Sequence, residues 1–390
     1  MKHKTMKRTK RINRARIMRE IWINRETSRI DIAKSLGLDK STISNNVNEL
    51  LERGVIVESS EGDAGPQGGR KPVHIKLNRH YGCVLGLELR TDSYTAVIVD
   101  MEGEIIYSRF EKIRITNDTL AKKFLEIVAL LNSELEQKKI NLLGIGVGIS
   151  GVVNAHKGII NFSETFNITT ETDFYKMVVP HLNVPVFIDN DANACVWGEL
   201  AFHRRKDLKD FIFLLFEFWD YDPAVNPVCN RTGVGVGLVI NGTVHYGSNY
   251  SAGEFRSIFR HENSVGQFSL TQEEQMVVQE DGAIREKFLR ELGAHVGVLV
   301  NTFDLSHVIL GGYFEHYDQQ VIEIFDQEIE KNWPYASTMK KKTDIWFSSF
   351  GDQAVAYGAA GMVLNTLFSD LEVIEVNYNK TVFRDKMPVF

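Results

Sequence analysis

The chain has 390 residues, 45 Lys+Arg, 51 Asp+Glu and a formal net charge of −6. That length exceeds one ordinary core, so two or three domains are expected. With 43% hydrophobic and 25% charged residues, no apolar run of about 18 residues and no apolar segment after the basic start, the chain reads as globular, not disordered, membrane-spanning or secreted.

The charge is unevenly placed. Residues 1–80 carry a net +9 and residues 81–390 a net −15. A basic unit joined to an acidic one points to a polyanion partner for the first and a different ligand for the second. Cys83, Cys195 and Cys229 are far apart. A disulfide scaffold or cysteine-rich zinc site is therefore not expected, and a reducing cytoplasm is.

Residues 11–24 predict a helix with Ile17, Met18, Ile21 and Trp22 on one face. A second helix starts at Ser28, which with Asp31 resembles a capping box, and stops at Gly37. A third starts at the N-cap Asp39 and ends at Gly54. Ile43, Val47, Leu50 and Leu51 form its apolar stripe. Its outward face is expected to carry Lys40, Ser41, Thr42, Ser44, Asn45, Asn46 and Asn48. Short hydrogen-bonding side chains there suit base edges and phosphates in a major groove.

Val55–Glu58 and Pro72–Leu77 predict a hairpin whose Gly- and Ser-rich tip ends in Arg70 and Lys71. Such a wing would deliver Arg70 to a minor groove. Together these features predict binding to a double-stranded DNA operator; a helical hairpin for protein contacts is the alternative.

Beyond residue 80 the pattern changes. Strands are predicted at 81–89, 94–100 and 105–110, a helix at about 118–138, and strands at 142–149 and 186–188. A helix follows Asp189-Asn190-Asp191-Ala192-Asn193. Strands at 211–216, 234–240 and 308–310 flank a mostly helical stretch, 271–303. The three-strand, helix, strand, helix order occurs twice, which predicts an α/β fold of two lobes facing across a cleft.

These motifs resemble the repressor branch of the ROK family (repressors, open reading frames and sugar kinases). The resemblance covers nearly all of residues 10–365. It is carried by Ser28-Arg29, Gly37-Leu38, Ser41-Thr42-Ile43-Ser44 and Gly68-Gly69-Arg70-Lys71-Pro72 in the first unit. In the second it is carried by residues 144–151, ending in Ser150-Gly151, by Asp189 to Ala194, Thr232-Gly233-Val234-Gly235, Ala252-Gly253-Glu254, Gly311-Gly312 and Gly358-Ala359-Ala360.

The resemblance implies an actin-like (ribonuclease H-like) sugar-kinase fold after a winged helix-turn-helix. It implies three units: 1–80 for DNA, 81–198 as first lobe, and 199–390 as second lobe with dimerisation helices. It implies DNA contacts from Arg29, Ser41, Thr42, Ser44, Asn45, Asn46, Arg70 and Lys71. It implies effector contacts from Gly151, Asn167, Asn190, Asp191 and Glu254, with Asp191 at the position of the kinases' general base. Asn190 and Asp191 are open to a second reading, as caps of the following helix.

Departures from the family pattern point away from catalysis. Glu88-Leu89-Arg90-Thr91-Asp92 stands where the phosphate loop reads Asp-x-Gly-Gly-Thr, so the backbone nest for phosphate is lost. Arg231 replaces a glycine before Thr232, and Ser257 replaces the family's zinc-ligating His, with no cysteines following. No metal, cofactor or catalytic residue is therefore expected. Residues 217–231 form an added aromatic segment that would cover the pocket, contact a second chain or do neither. The sequence thus predicts a cytoplasmic, sugar-responsive transcriptional repressor of carbohydrate genes, a homodimer or homotetramer without membrane contact. An ATP-dependent sugar kinase and a ligand-independent DNA-binding protein are the alternatives.

Overall fold

The computed structural model describes residues 2–61, 72–203, 208–219, 229–335 and 343–369. The first helix, α1 (Lys2–Asn24), begins nine residues before its expected start. Nothing upstream of residue 11 is a Gly or Pro, so no residue breaks it earlier. A short strand β1 (Glu26–Ser28), α2 (Arg29–Leu36), α3 (Lys40–Glu52), β2 (Ile56–Glu61) and β3 (Val73–Leu77) follow. β3 pairs antiparallel with both β1 and β2. The expected punctuation is present. Ser28 caps α2 and accepts from Asp31 N, Gly37 ends it at φ 62°, and Asp39 caps α3. β1 escaped the sequence reading because three residues show no alternation.

The first lobe opens with β4 (Cys83–Leu89), β5 (Ser93–Asp100) and β6 (Ile105–Lys112), an antiparallel meander. Then come α4 (Leu120–Gln137), β7 (Leu142–Ile149), and a small accessory sheet of β8 (Val152–Asn154), β9 (Ile159–Phe162) and β10 (Thr172–Asp173). α5 (Phe174–Val178), β11 (Val186–Asn190) and α6 (Asp191–Phe202) complete it. The main sheet has the order β11-β7-β4-β5-β6, with β7 parallel to β4 and β11.

The second half repeats this plan with β12 (Phe211–Phe218), β13 (Thr232–Ile240), β14 (Thr243–Val244), α7 (Gln272–Val277), α8 (Gly282–Phe303), β15 (His307–Gly312), α9 (Asp318–Lys331), β16 (Asp344–Phe347) and α10 (Ala354–Ser369). Its sheet order, β14-β13-β12-β15-β16, has the same connectivity.

β4, β5 and β7 are buried along their whole length, with alternate side chains serving the two covered faces of the sheet. Leu85, Leu87, Ile145 and Val147 face α4 through Phe124, Ile127 and Leu131. Val84, Val97, Val99 and Leu143 face the other way, into a cluster shared with α10 and with Ile17, Met18, Ile21 and Trp22 of α1. The core of the winged helix is therefore continuous with that of the first lobe, although the sequence places a domain boundary at residue 80.

The last described helix also crosses the expected boundary at 198/199. α10 lies on the first sheet, and glycines make the approach possible. A Cβ at Gly86 would sit 1.9 Å from Ala356 O, and one at Gly146 would sit 2.0 Å from Ala359 O. α6 in turn packs on α10 and on β13 of the second sheet, where a Cβ at Gly237 would be 2.8 Å from Ala192 O. Gly86→Val should therefore destabilise the protein by about 3 kcal/mol, the upper range for overpacking. Urea unfolding reads this directly; an unchanged midpoint would contradict the close seating of α10 on β4.

Candidate functional site

The start of α3 is an organised polar surface. Asp39 accepts from Thr42 N at 2.8 Å and from the hydroxyls of Ser41 and Thr42, both at 2.6 Å. Those hydroxyl bonds, Ser41's first, hold the Asp39 carboxyl far below the ordinary aspartate range. Ser41 and Thr42 thus have their protons committed and present lone pairs outward. Asn45 is exposed and Ser44 partly so. Arg29 reaches Asn48 Oδ1 at 3.2 Å and lies 3.7 Å from Glu58, tying α2 to α3 and β2.

Asn46 departs from the expected outward face. It is 4% exposed, and its amide donates to Thr42 O at 2.8 Å. The physical reason is helical spacing: Ile43, Asn46, Val47 and Leu50 form one buried stripe. Arg70 and Lys71 lie outside the described residues.

The second candidate site lies where β7, β11 and α6 meet β12 and β13. Asn190 is the N-cap of α6. Its Oδ1 accepts from Ala192 N and Asn193 N, and its Nδ2 donates to Gly151 O at 2.9 Å. The capping reading therefore accounts for Asn190. Gly151 has φ 123°, and a Cβ there would lie 2.3 Å from Phe162 O. Ser150 beside it bonds Thr165, which draws in the turn carrying exposed Asn167 at φ 51°.

Asp191 is different. It is 8% exposed, and one oxygen accepts from Ala192 N at 2.7 Å. Among the described residues, the other oxygen makes no hydrogen bond. Burial raises its carboxyl well above the aspartate range, with further repulsion from Glu217, Glu254 and Glu88. Glu254 is exposed on the cleft wall, and partial burial there still raises its carboxyl. Its turn rests directly on β13: Gly253 has φ 94°, and a Cβ would meet Val236 O at 2.0 Å.

The sequence reading did not single out the network behind this wall. Asp189, fully buried, accepts from Tyr246 OH at 2.6 Å, Trp197 Nε1 at 3.1 Å and Asn193 Nδ2 at 3.1 Å. Burial pushes its carboxyl up to about 6. His156 Nδ1 of the first lobe and Tyr250 OH of the second lie 2.8 Å apart. Their only signal in the sequence was two tyrosines shortly before Ala252-Gly253-Glu254.

The altered phosphate loops are filled by the chain itself. Arg90, at the turn after β4, bonds Glu217 of β12 at 2.5 Å and Glu88 at 3.4 Å, bridging the two sheets. Burial pushes the Glu88 carboxyl up to about 7, against the pull of Arg90. Trp219 covers Gly233, so that a Cβ there would be 2.3 Å from its ring. Arg231 stacks over Phe218 at 4.3 Å and donates to Met276 O. Residues 220–228 of this segment lie outside the described residues. At the family's zinc position, Ser257 Oγ and His295 Nε2 are 3.0 Å apart. Among the described residues no His, Cys, Asp or Glu cluster suits a metal ion. The residues there do not fit structural zinc.

A ROK family profile matches residues 84–259, and a winged helix-turn-helix DNA-binding profile matches residues 11–57. The chain carries a ROK family domain behind a winged helix-turn-helix. Over 387 residues it is 24% identical to the xylose repressor of Bacillus subtilis (strain 168), covering 91% of this chain and 96% of that protein. It is 28% identical over 246 residues to the xylose repressor of Bacillus spizizenii, covering 63% of this chain and 59% of that one. Its fold matches a ROK family transcriptional regulator described as a homologue of the E. coli MLC protein, with TM-score 0.73 and 19% identity, over 94% of this chain and 99% of the other. The architecture is thus an N-terminal winged helix-turn-helix followed by a two-lobed, sugar-kinase-like ROK fold.

Proposed function

We propose that this ROK chain is a cytoplasmic, sugar-responsive transcriptional repressor whose cleft senses and does not phosphorylate. The observation that carries the reading is the Arg90–Glu217 ion pair, which occupies the phosphate-loop position below a winged helix fused to the same lobe. A loop that must accept triphosphate needs open backbone N–H groups, not a bridging side chain. Asp191 and Glu254 offer carboxyl oxygens to sugar hydroxyls. The relatives' names nominate D-xylose as the first sugar to test. Purified protein should show a melting shift with D-xylose, none with millimolar ATP, and no ADP release in a coupled assay. ADP release abolished by Asp191→Asn would establish a kinase instead.

Operator reading is assigned to Arg29, Ser41, Thr42, Ser44 and Asn45 on the body of the unit, and to Arg70 and Lys71 on the wing. Asn45→Ala should weaken binding by about 1–3 kcal/mol and relax preference at one base pair, leaving the salt slope unchanged. Arg70→Ala should weaken all sequences alike and reduce the salt slope by about one. Fluorescence anisotropy across a salt series separates the two effects.

Pairing of two chains is assigned to the second lobe, where exposed Phe259 sits against His295 of α8, one turn from exposed Val298. A two-fold pair would present two winged helices to a palindromic operator. Light scattering should give the mass of a dimer or a dimer of dimers.

A further inference from the structure

α6 joins the candidate sugar site to the DNA-binding unit. Its N-terminus is Asn190-Asp191 at the cleft, and its last residue is Phe202. It spans about 18 Å. Nine of its 12 residues are buried, wedged between β13 and α10 at glycine-permitted distances. A Cβ at Gly358 would meet Ala194 O at 2.0 Å. A helix so confined moves as a rod, because interiors at close-packed density transmit displacement and do not absorb it.

The far end of that rod is held by α1. A helix leaves its final carbonyls without intrahelical donors. One of them, Ala201 O, accepts from Trp22 Nε1 at 2.9 Å. Trp22 is 6% exposed, although it belongs to the winged helix. Its ring lies 6.2 Å from Phe202 and 4.8 Å from Phe368 of α10. Phe202 stacks on Tyr357 at 3.9 Å, and Tyr357 OH donates to Gly103 O at 2.6 Å. Gly103 must be glycine here, since a Cβ would lie within 2.9 Å of both Phe202 and Trp22.

α1 in turn carries the recognition helix. Arg14, 8% exposed, pairs with Glu49 of α3, and Lys10 bonds the same carboxylate at 2.6 Å. Arg16 donates to Leu36 O at the end of α2. A cavity of about 90 Å³ lies beside Trp22, lined by Ile21, Arg25, Leu77, Glu102 and Glu104.

We infer that Trp22 is the positioning residue through which the cleft sets the orientation of the recognition helix, by way of its bond to the end of α6. The inference rests on the sugar-responsive reading above. Sugar drawn onto Asp191 shifts α6, the shift reaches Ala201 and Phe202, and Trp22 tilts α1 together with α3. Binding can do this only through different affinity for the two orientations.

Two arms test it on the full chain. In the first, [15N]tryptophan labelling gives five indole resonances, and Trp22→Phe assigns that of Trp22. Arg90→Ala cuts the cross-lobe ion pair without any ligand. The Trp22 resonance should then shift although Arg90 lies in the cleft; a stationary Trp22 resonance overturns the proposal. In the second arm, a DNA site selected by the parent from a randomised pool is titrated with and without millimolar D-xylose. Trp22→Phe keeps a ring and loses the N–H. It should bind this DNA within about twofold of the parent and lose at least about fivefold of any D-xylose response. Where Trp22→Phe fails to fold, Phe202→Leu, on the α6 side of the joint, serves in its place with the same expectation. An undiminished response overturns the role of Trp22. A parent that ignores D-xylose refutes that sugar as effector, and the resonance arm still decides the coupling.

Discussion

Asp191→Ala is expected to weaken D-xylose binding about 5–150-fold and to leave sugar-free operator affinity within about twofold of the parent. The size follows from the chemistry of the site. Asp191 has a carboxylate oxygen with no hydrogen bond among the described residues, at a position 8% exposed. A sugar hydroxyl that loses such an acceptor is left buried and unpaired, which costs roughly 1–3 kcal/mol. The separation follows from position. Asp191 opens α6 at the cleft end, away from Trp22 and the joint with α1, so its loss should change what the sugar does and not how DNA is held. Calorimetry gives the first quantity and anisotropy the second. If Asp191→Ala binds sugar like the parent, the sugar lies elsewhere. Asn190→Ala should behave differently, lowering stability by about 1 kcal/mol, since its side chain caps α6.

Glu88→Gln should make the protein more stable than the parent at pH 8, by up to about 3 kcal/mol, and equal to it near pH 4. Glu88 is buried and its carboxyl is pushed from 4.5 up to about 7. Below about pH 4.5 both folded and unfolded chains carry the proton, and no penalty arises. Between about 4.5 and 7 the unfolded chain releases it first, so the parent loses stability as pH rises; above about 7 the loss is complete. Glutamine resembles the protonated side chain throughout and escapes the decline. Urea midpoints from pH 4 to pH 8 should therefore diverge upward. Parallel curves would mean that Glu88 is ionised at no cost, held by Arg90 alone.

Much of this molecule could be read from its residues in order. Ser28, Gly37 and Asp39 announced two helices because caps are local signals. The meander at 83–112 and the strand before Asp189 were likewise visible, as was the doubled order of elements. What escaped depends on contacts distant in the chain. Nothing near Arg90 reveals that Glu217, 127 residues later, will meet it across the cleft. Gly358-Ala359-Ala360 matched a motif, but nothing in it told which sheet α10 would cover. Asn46 looked like its neighbours Ser44 and Asn45, and only its place in the stripe of Ile43, Val47 and Leu50 turned it inward. Asn190 and Asp191 share one motif, yet one caps the helix and the other keeps an oxygen without a hydrogen bond among the described residues.

The seating of α10 on the first sheet has a consequence for biosynthesis. Residues 83–190 leave the ribosome with one sheet face clothed by α4 and the other bare. The helix that covers it, α10, is made some 160 residues later. At about 5–20 residues per second the bare face waits on the order of ten to thirty seconds. Val84, Val97, Val99 and Leu143, together with the glycine-floored groove at Gly86 and Gly146, stand open meanwhile. The face shared with Trp22 closes only when α10 arrives, so the reading head cannot be fully seated on a nascent chain. Chains that stop before Ala354 should accordingly collect in the insoluble fraction or on chaperones, and hold no competent DNA-binding unit in reserve.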